Sequence, residues 1–439
     1  MRHEQGLNMH TMTKRLLTPG LVVVSAALLA VGCGDDSNSS DAKDTKTTTT
    51  AAADAKTDEA ADDANNGIAL RITLDRLLGE HMLLAANATQ KALLGGKDVT
   101  EALGALEANT NELSDAVGSI YGEDAKSAFK GQWAAHNLLF VDYTTAVAKK
   151  DAASKAAAVK GLGKYQTDFG KFFAEATGLP VPAVQQQLGV HVGHTAKGVD
   201  NFAAKKYDVA YADLAMGYEH MFALGDTLAA AIAEQQELNP TTGDAADLQV
   251  TLDRLLSQHA MLAIIAMQRG FDGSPDFAAA GKALDANTDD LGAAIGSVYG
   301  PDAQKAFETQ WRAHIQLFVD YTVASAKKDD AGKAKALDGL TAYKTSFAKF
   351  LSDATGLDAS AGADALQAHV DQLVASFDAY VEGDYEKAYS QAREGYAHMF
   401  MTGEALAGAI ATQKDITNGG GAMTSSSGGG GAMDDHSDM

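Results

Sequence analysis

Apolar residues recur at steps of three and four along most of the chain between residues 68 and 414, as in Leu74, Leu77, His81 and Leu84. This spacing keeps the side chains on one face of a helix, because an α-helix has 3.6 residues per turn. Alternating β-branched runs are scarce, and the 439 residues include only 6 prolines. The pattern therefore predicts an all-α protein.

The helical pattern occurs twice in the sequence. Residues 70–81 (LRITLDRLLGEH) correspond to residues 248–259 (LQVTLDRLLSQH), and the register holds without a gap, at an offset of 178, as far as Gln235 and Gln413. About half of the aligned positions are identical, which indicates an internal duplication. Glycine and Lys-Asp breakers divide each copy into six segments. We therefore predict two tandem bundles of about six antiparallel helices each.

The start of the chain has the pattern of a lipoprotein signal peptide. Lys14 and Arg15 precede an apolar run that ends in small residues before Cys33, the only cysteine. We expect cleavage before Cys33, attachment of that residue to membrane lipid, and a location outside the cytoplasmic membrane. An uncleaved anchor or an ordinary secretory signal is the alternative interpretation.

Composition completes the predicted organisation of the chain. The segment after Cys33 is rich in Asp, Thr, Ala and Ser, and the C-terminal segment in Gly and Met, which is typical of disordered regions. The predicted parts are a signal peptide at 1–33, a disordered acidic and Thr-rich tether at 34–67, helical bundles at 68–236 and 248–414, a linker at 237–247, and a disordered tail at 415–439.

The chain is acidic, with a formal net charge of −23. Removal of the signal peptide, which carries three basic residues and one acidic residue, would make the remainder more acidic still. This charge argues against nucleic acid as a partner. With Cys33 lipidated no disulfide can form, so packing alone must stabilise the fold.

One aromatic stripe contains an inward-facing histidine in both copies. Phe129, Trp133, His136, Phe140 and Tyr143 share one helical face, and the same residue types recur 178 positions later. The two tryptophans of the chain each lie one turn before that histidine. The stripe therefore predicts an imidazole in an aromatic core.

Eight histidines form four pairs at the same offset, whereas His194 has Gln372 as its counterpart. Similar positions on several helices would allow imidazoles to converge in the bundle cores, where metal sites are often built. The candidate metal ligands are His81, His136, His191 and His220 in the first copy and His259, His314, His369 and His398 in the second.

An alternative is that these histidines are structural. A buried neutral histidine usually bonds a tyrosine, a carboxylate or a carbonyl group. In the first copy such partners are available at Tyr143, Tyr218, Asp142 and Asp226. Spacing along the chain does not distinguish the two interpretations.

The motifs that are missing narrow the choice of metal. Glu-x-x-His, His-Glu-x-x-His and Cys-x-x-Cys-His do not occur, which disfavours a ferritin-like di-iron centre, common zinc proteases and covalent haem. Imidazole ligands with a nearby thioether suit copper or zinc. Met216 and Met401 lie one turn from His220 and His398 and are the thioethers best placed in sequence.

Several conserved-looking blocks occur in both copies: LDRLLxxHxxLA from Leu74, LxANTxxL from Leu106 and QWxxHxxLFVDYT from Gln132. They resemble a repeat in secreted bacterial proteins labelled copper amine oxidase, or its N-terminal region. The resemblance implies copper. It does not extend to the amine oxidase reaction, because this chain has no Asn-Tyr pair from which the quinone cofactor of that family is made.

These observations favour a lipid-anchored, extracytoplasmic helical protein that binds a transition metal, copper before zinc, in each bundle core for storage, buffering or delivery. A non-catalytic adhesion or interaction scaffold with structural histidines is the main alternative, and a noncovalent haem carrier is a weaker one. No catalytic motif is recognisable, so we do not expect an enzyme.

Overall fold

A computed structural model describes residues 66–418, and every regular element in this range is an α-helix, which confirms the prediction of an all-α protein. The helices are α1 (Asn66–Leu94), α2 (Val99–Tyr121), α3 (Glu123–Lys149), α4 (Ala152–Thr177), α5 (Val181–Ala203), α6 (Tyr207–Gln235), α7 (Asp244–Phe271), α8 (Phe277–Tyr299), α9 (Pro301–Lys327), α10 (Asp330–Thr355), α11 (Ala359–Glu382) and α12 (Tyr385–Lys414).

Some predicted segments lie outside the described residues. These are the signal peptide with Cys33, the tether up to residue 65, and the tail from residue 419. The first four residues assigned to the tail belong to the helical fold, because the backbone N–H of Ala246 donates to Asn418 Oδ1 over 2.8 Å. Among the described residues, no helix is long and apolar enough to cross a membrane.

The helices of α1–α6, here called the first half, have counterparts in α7–α12, the second half. Helices α2 and α8 have identical bounds at the offset of 178, as do α3 and α9. The turns agree as well: Lys150 and Lys328 both adopt φ 55°. Each is followed by an aspartate, Asp151 or Asp329, whose side chain accepts hydrogen bonds from the first turn of the next helix.

Helices α1 and α7 lie at the centre of the molecule. Helix α1 packs against α2, α3, α5 and α6, helix α7 packs against α8, α9, α11 and α12, and the two central helices contact each other. Every residue from Leu77 to Lys91 of α1 and from Leu255 to Arg269 of α7 is buried. The central helices therefore present side chains to several neighbours at once, which is the requirement for a site assembled from different helices.

The two halves share one hydrophobic core. A contiguous cluster of buried apolar side chains, from Leu74 to Ile410, includes residues of all twelve helices. Polar groups also cross the boundary. Lys91 pairs with Asp98 over 2.8 Å, and Tyr389 of the second half donates to the same carboxylate over 2.7 Å.

The second half repeats this contact in reverse. Arg269 pairs with Asp276 over 3.0 Å, and Tyr211 of the first half donates to Asp276 over 2.9 Å. Both ion pairs are fully buried. Each half therefore supplies a hydroxyl that the other half needs to satisfy a buried carboxylate.

Candidate metal centre

Three helices of the first half bring three histidines together. His81 on α1, His136 on α3 and His191 on α5, the first triad, each offer a ring nitrogen within 4.8 Å of those of the other two. Nε2 of His81 and Nε2 of His136 are 3.4 Å apart. All three side chains are buried. The sequence left open whether these imidazoles converge, and the structure brings the three together.

The second half contains an equivalent cluster. His259 on α7, His314 on α9 and His369 on α11, the second triad, also have ring nitrogens within 4.8 Å of one another. Nε2 of His259 and Nε2 of His314 are 3.2 Å apart. The same arrangement therefore occurs twice, in positions related by 178 residues.

The aromatic stripe encloses the first triad on one side. Trp133 lies one turn before His136, and its ring centroid is 4.8 Å from that of His81 and 4.7 Å from that of His136. Phe129 stacks on the other side of the indole at 5.2 Å. Trp311 is 4.7 Å from His259 and 4.6 Å from His314. Each triad therefore has one tryptophan in direct contact.

A tyrosine that the sequence analysis did not identify stacks on each triad. The Tyr165 ring on α4 is 4.7 Å from that of His136, with an interplanar angle of 14°. Tyr343 stacks on His314 at 5.0 Å and 23°. Both hydroxyl groups are buried without a hydrogen-bond partner among the described residues. The only available signal was the shared spacing of Tyr165 and Tyr343 on apolar helix faces.

Burial keeps the triad imidazoles neutral. It lowers the pKa of His136 and of His191 to about 3, with smaller contributions from the neighbouring histidines. It likewise lowers the pKa of His314 and of His369 to about 3. The pKa of His81 and of His259 falls well below the usual range for the same reason. Neutral imidazole is the form that binds metal ions, so protons do not compete with a metal near pH 7.

An asparagine sits behind the first histidine of each triad. Asn109 donates from Nδ2 to the Leu77 carbonyl over 2.9 Å and to Glu80 Oε2 over 2.8 Å. The Asn109 side chain opposes part of the lowering of the pKa of His81, while Asn109 Oδ1 and His81 Nδ1 each lack a hydrogen-bond partner among the described residues. Asn287 is held in the same way by the Leu255 carbonyl and Gln258.

The position of the proton on the first histidine decides which of its nitrogens could bind a metal. A proton on Nδ1 would leave the Nε2 lone pair free to face the other two histidines. In the second half the indole N–H of Trp311 points at His259 Nδ1, over 3.2 Å. That contact requires the proton on Nε2, so a metal ion could bind Nε2 only if that proton moved to Nδ1 of His259.

The nitrogen separations match those of a metal site. Three nitrogens at 2.0–2.1 Å from one ion, at tetrahedral or trigonal angles, are about 3.3–3.6 Å apart. The Nε2–Nε2 distance of 3.4 Å lies within this range and that of 3.2 Å just below it, and both are also hydrogen-bond distances between the two rings. Both ring nitrogens of His191 and of His369 are buried without a hydrogen-bond partner among the described residues. A small adjustment of this third ring would complete a three-nitrogen site.

The fourth predicted histidine of each half lies outside the triad. Nε2 of His220 is 2.9 Å from the Gln187 carbonyl, and Nε2 of His398 is 3.1 Å from the Ala365 carbonyl. Both rings are only half-buried. The prediction of four converging ligands is therefore wrong for His220 and His398, because α6 and α12 turn these side chains toward a neighbouring backbone instead of the triad.

The methionines chosen from the sequence also lie elsewhere, because Met216 is 47% exposed and Met401 60% exposed. The partners expected for structural histidines are engaged with other groups. Tyr218 bonds Ser257 and Tyr396, and Asp226 bonds Arg71. None of them hydrogen-bonds a triad histidine within the described range, whereas His220 and His398 bond backbone carbonyl groups, as the structural alternative expects.

An apolar cavity of about 70 Å³ reaches the second triad at His259. Its lining includes Ala263, Met267, Gly270 and Phe318, and it extends toward the exposed side chain of Val323.

Comparison of the chain with models of known protein families, with curated proteins and with solved structures finds no match.

Proposed function

We propose that this protein binds transition-metal ions, copper first, with one ion at each histidine triad. The observation that supports the proposal is the convergence of three buried, neutral imidazoles, repeated at an offset of 178 residues. Imidazole nitrogen is a good ligand for both copper and zinc. The resemblance of the repeat blocks to proteins labelled for copper agrees with this choice.

The charge of the site favours monovalent copper over zinc. The free energy required to bury an ion rises with the square of its charge, and three imidazoles contribute no negative charge to offset it. Glu80, the carboxylate next to His81 in the chain, is already paired with Arg393 over 2.9 Å. Zinc would also seek a fourth ligand. A site of three neutral nitrogens therefore suits Cu(I) best.

In the cell we place this binding outside the cytoplasmic membrane. In this proposal Cys33 carries lipid, the segment that follows is a tether, and the halves are two six-helix bundles that store, buffer or deliver copper. The acidic chain would attract cations to the surface. The triads contain no nucleophile and base pair, so the proposal involves binding and not catalysis.

The first test is metal binding by the soluble chain, residues 34–439 without Cys33. Cu(I) is added under anaerobic conditions, and the bound metal is counted after gel filtration. We expect two equivalents for the unaltered chain and none for a His136→Ala, His314→Ala variant that retains its helical circular dichroism. The matched control is His220→Ala, His398→Ala, which removes two histidines outside the triads and should still bind two equivalents.

Tryptophan fluorescence assigns each ion to its triad, because Trp133 and Trp311 are the only two tryptophans. Each contacts one triad. Copper should quench Trp311 in a Trp133→Phe variant, and Trp133 in a Trp311→Phe variant. A helical protein that binds no Cu(I) or zinc would refute the proposal and leave the interaction scaffold as the better interpretation, whereas a Soret band on the purified protein would indicate haem.

A further inference from the structure

A further histidine, His194, lies beside the first triad, and the second half has no histidine at the equivalent position. His194 follows His191 by one turn of α5, so the two side chains lie on adjacent positions of one helix face. The counterpart of His194 in the second half is Gln372. The two triads therefore differ in what stands beside their third histidine.

Helix α6 brings His220 close to His194. The two ring centroids are 6.4 Å apart, only slightly more than the 6.0 Å between His136 and His191 within the triad. Gly217 makes this approach possible, because a Cβ at that position would lie 3.2 Å from Cβ of His194. His191, His194 and His220 therefore form a continuous series from the buried triad to the half-buried edge of α6.

The ligand atoms of this series are available. Nε2 of His220 must carry a proton because it faces the carbonyl of Gln187, so its Nδ1 has a free lone pair. Nδ1 of His194 is buried without a hydrogen-bond partner among the described residues. Met216 lies one turn before His220 and is exposed, which places a thioether sulfur at the outer end.

We propose that His194 and His220 form an outer copper-exchange site that passes Cu(I) between solvent and the first triad, and that the second triad lacks such a site. This inference rests on the proposed function. In the transfer step, bonds from the ion to the imidazoles of the outer site are exchanged for bonds to the triad imidazoles. The oxidation state of copper and the charge of the ligands do not change.

The electrostatics agree with this proximity. After burial, the groups that lower the pKa of His191 are His220 and His194. The second half lacks two of the three side chains: Gln372 replaces His194, and Glu394 replaces Met216. His398 remains, with its Nε2 3.1 Å from the Ala365 carbonyl. An ion leaving the second triad meets Gln372 where the first half has His194, so the intermediate imidazole between the triad and the outer histidine is missing.

The test measures release of Cu(I) from the loaded soluble chain to an excess of a bicinchoninate chelator. Recovery of Trp133 fluorescence reports the first triad in the Trp311→Phe protein, and recovery of Trp311 reports the second in the Trp133→Phe protein. We expect faster release from the first triad. His194→Gln, which copies the second half, should slow that release by about tenfold, a size typical of losing a supporting group near a metal.

The reciprocal variant Gln372→His should accelerate release from the second triad, and both variants should still bind two equivalents of copper. Equal release rates with and without His194, at unchanged stoichiometry, would overturn the exchange site while leaving the proposed function intact. Loss of one equivalent in His194→Gln would also overturn it, because His194 would then be a ligand of the bound ion. Absence of copper binding by the unaltered chain would refute the proposed function itself.

Discussion

The imidazole of His136 lies flat against the ring of Tyr165, with centroids 4.7 Å apart and planes within 14°. The contact fixes the orientation of a ring that belongs to the first triad. The Tyr165 hydroxyl itself has no hydrogen-bond partner among the described residues. Its ring and its hydroxyl can therefore be tested separately.

Replacement Tyr165→Phe keeps the stacked ring and removes the unpaired hydroxyl. We expect the free energy of unfolding of the metal-free protein to stay the same or to rise by up to about 1 kcal/mol, because a buried unpaired hydroxyl is unfavourable. Chemical denaturation measures the change, and Tyr343→Phe is the matched variant in the second half. A loss of more than about 1 kcal/mol would mean that the hydroxyl has a partner, such as a bound water molecule.

The neutral triads make the metal-free protein sensitive to acid. Four triad histidines have a pKa of about 3 when folded, compared with about 6.5 when unfolded. The unfolded chain therefore binds more protons between these values. The free energy of unfolding should be highest above pH 6.5 and fall as the pH decreases toward 3, by about 1.4 kcal/mol per pH unit for each histidine.

Denaturation at several pH values between 7.5 and 5 measures this slope. A His136→Phe, His314→Phe variant retains aromatic rings but loses two titrating groups, so its stability should depend less steeply on pH. Parallel curves for the two proteins would show that the triads do not cause the acid sensitivity.

Two buried carboxyl groups should have the opposite dependence. Burial raises the pKa of Asp75 and of Asp253 to about 9. The folded protein therefore binds more protons between the ordinary carboxyl pKa and 9, and stability falls as the pH rises through that range. The carboxyl group of Asp75 packs against Gly225, where a Cβ would lie only 2.0 Å from Asp75 Oδ1.

Asp75→Asn removes this titration with little change of shape. We expect it to increase the free energy of unfolding at pH 9 more than at pH 6, as measured by denaturation at both values. Asp253→Asn should behave in the same way. A variant that is destabilised equally at both pH values would show that Asp75 is ionised in the folded protein.

The ion pair behind the first triad joins the two halves. The buried carboxylate of Glu80 accepts a hydrogen bond from Asn109. It also accepts two from Arg393 of the second half, one from Nε over 2.9 Å and one from Nη2 over 3.0 Å. Arg393→Ala alone leaves a buried charge unpaired, which typically costs about 3–5 kcal/mol of stability.

The second half supplies the control, because Gln258 and Ala215 occupy the positions of Glu80 and Arg393. The double variant Glu80→Gln, Arg393→Ala should therefore recover most of the lost stability in denaturation experiments. An additive loss in the double variant would contradict the pairing.

The reciprocal polar contacts predict that the two halves unfold together. Arg269→Met leaves Asp276 buried without its partner and should cost about 3–5 kcal/mol. Thermal melts followed through Trp133 alone and through Trp311 alone should shift by the same amount, since the halves share one core. A shift seen only through Trp311 would show two independent units.

The helix period placed His81, His136 and His191 on inward faces, and the structure brings them together because α1 contacts both α3 and α5. The helix period did not show which way His220 faces, because this residue lies near mid-helix but on a less apolar face. Tyr165 could not be identified, because stacking depends on how α4 packs against α3. The contact between Glu80 and Arg393 spans 313 residues. Its only signal in the sequence is that both charges are absent together in the other copy, where Gln258 and Ala215 hold the equivalent positions.

The hydroxyl groups of Tyr218 and Tyr396, equivalent residues 178 positions apart, meet at 3.2 Å. Equivalent residues meet in this way only near a two-fold axis, as in a homodimer with a self-complementary interface. In a homodimer each substitution occurs in both copies. One continuous chain removes that restriction, so the equivalent positions 79 and 257 hold Gly79 and Ser257, and positions 91 and 269 hold Lys91 and Arg269. The two histidine triads can therefore diverge from each other within one molecule.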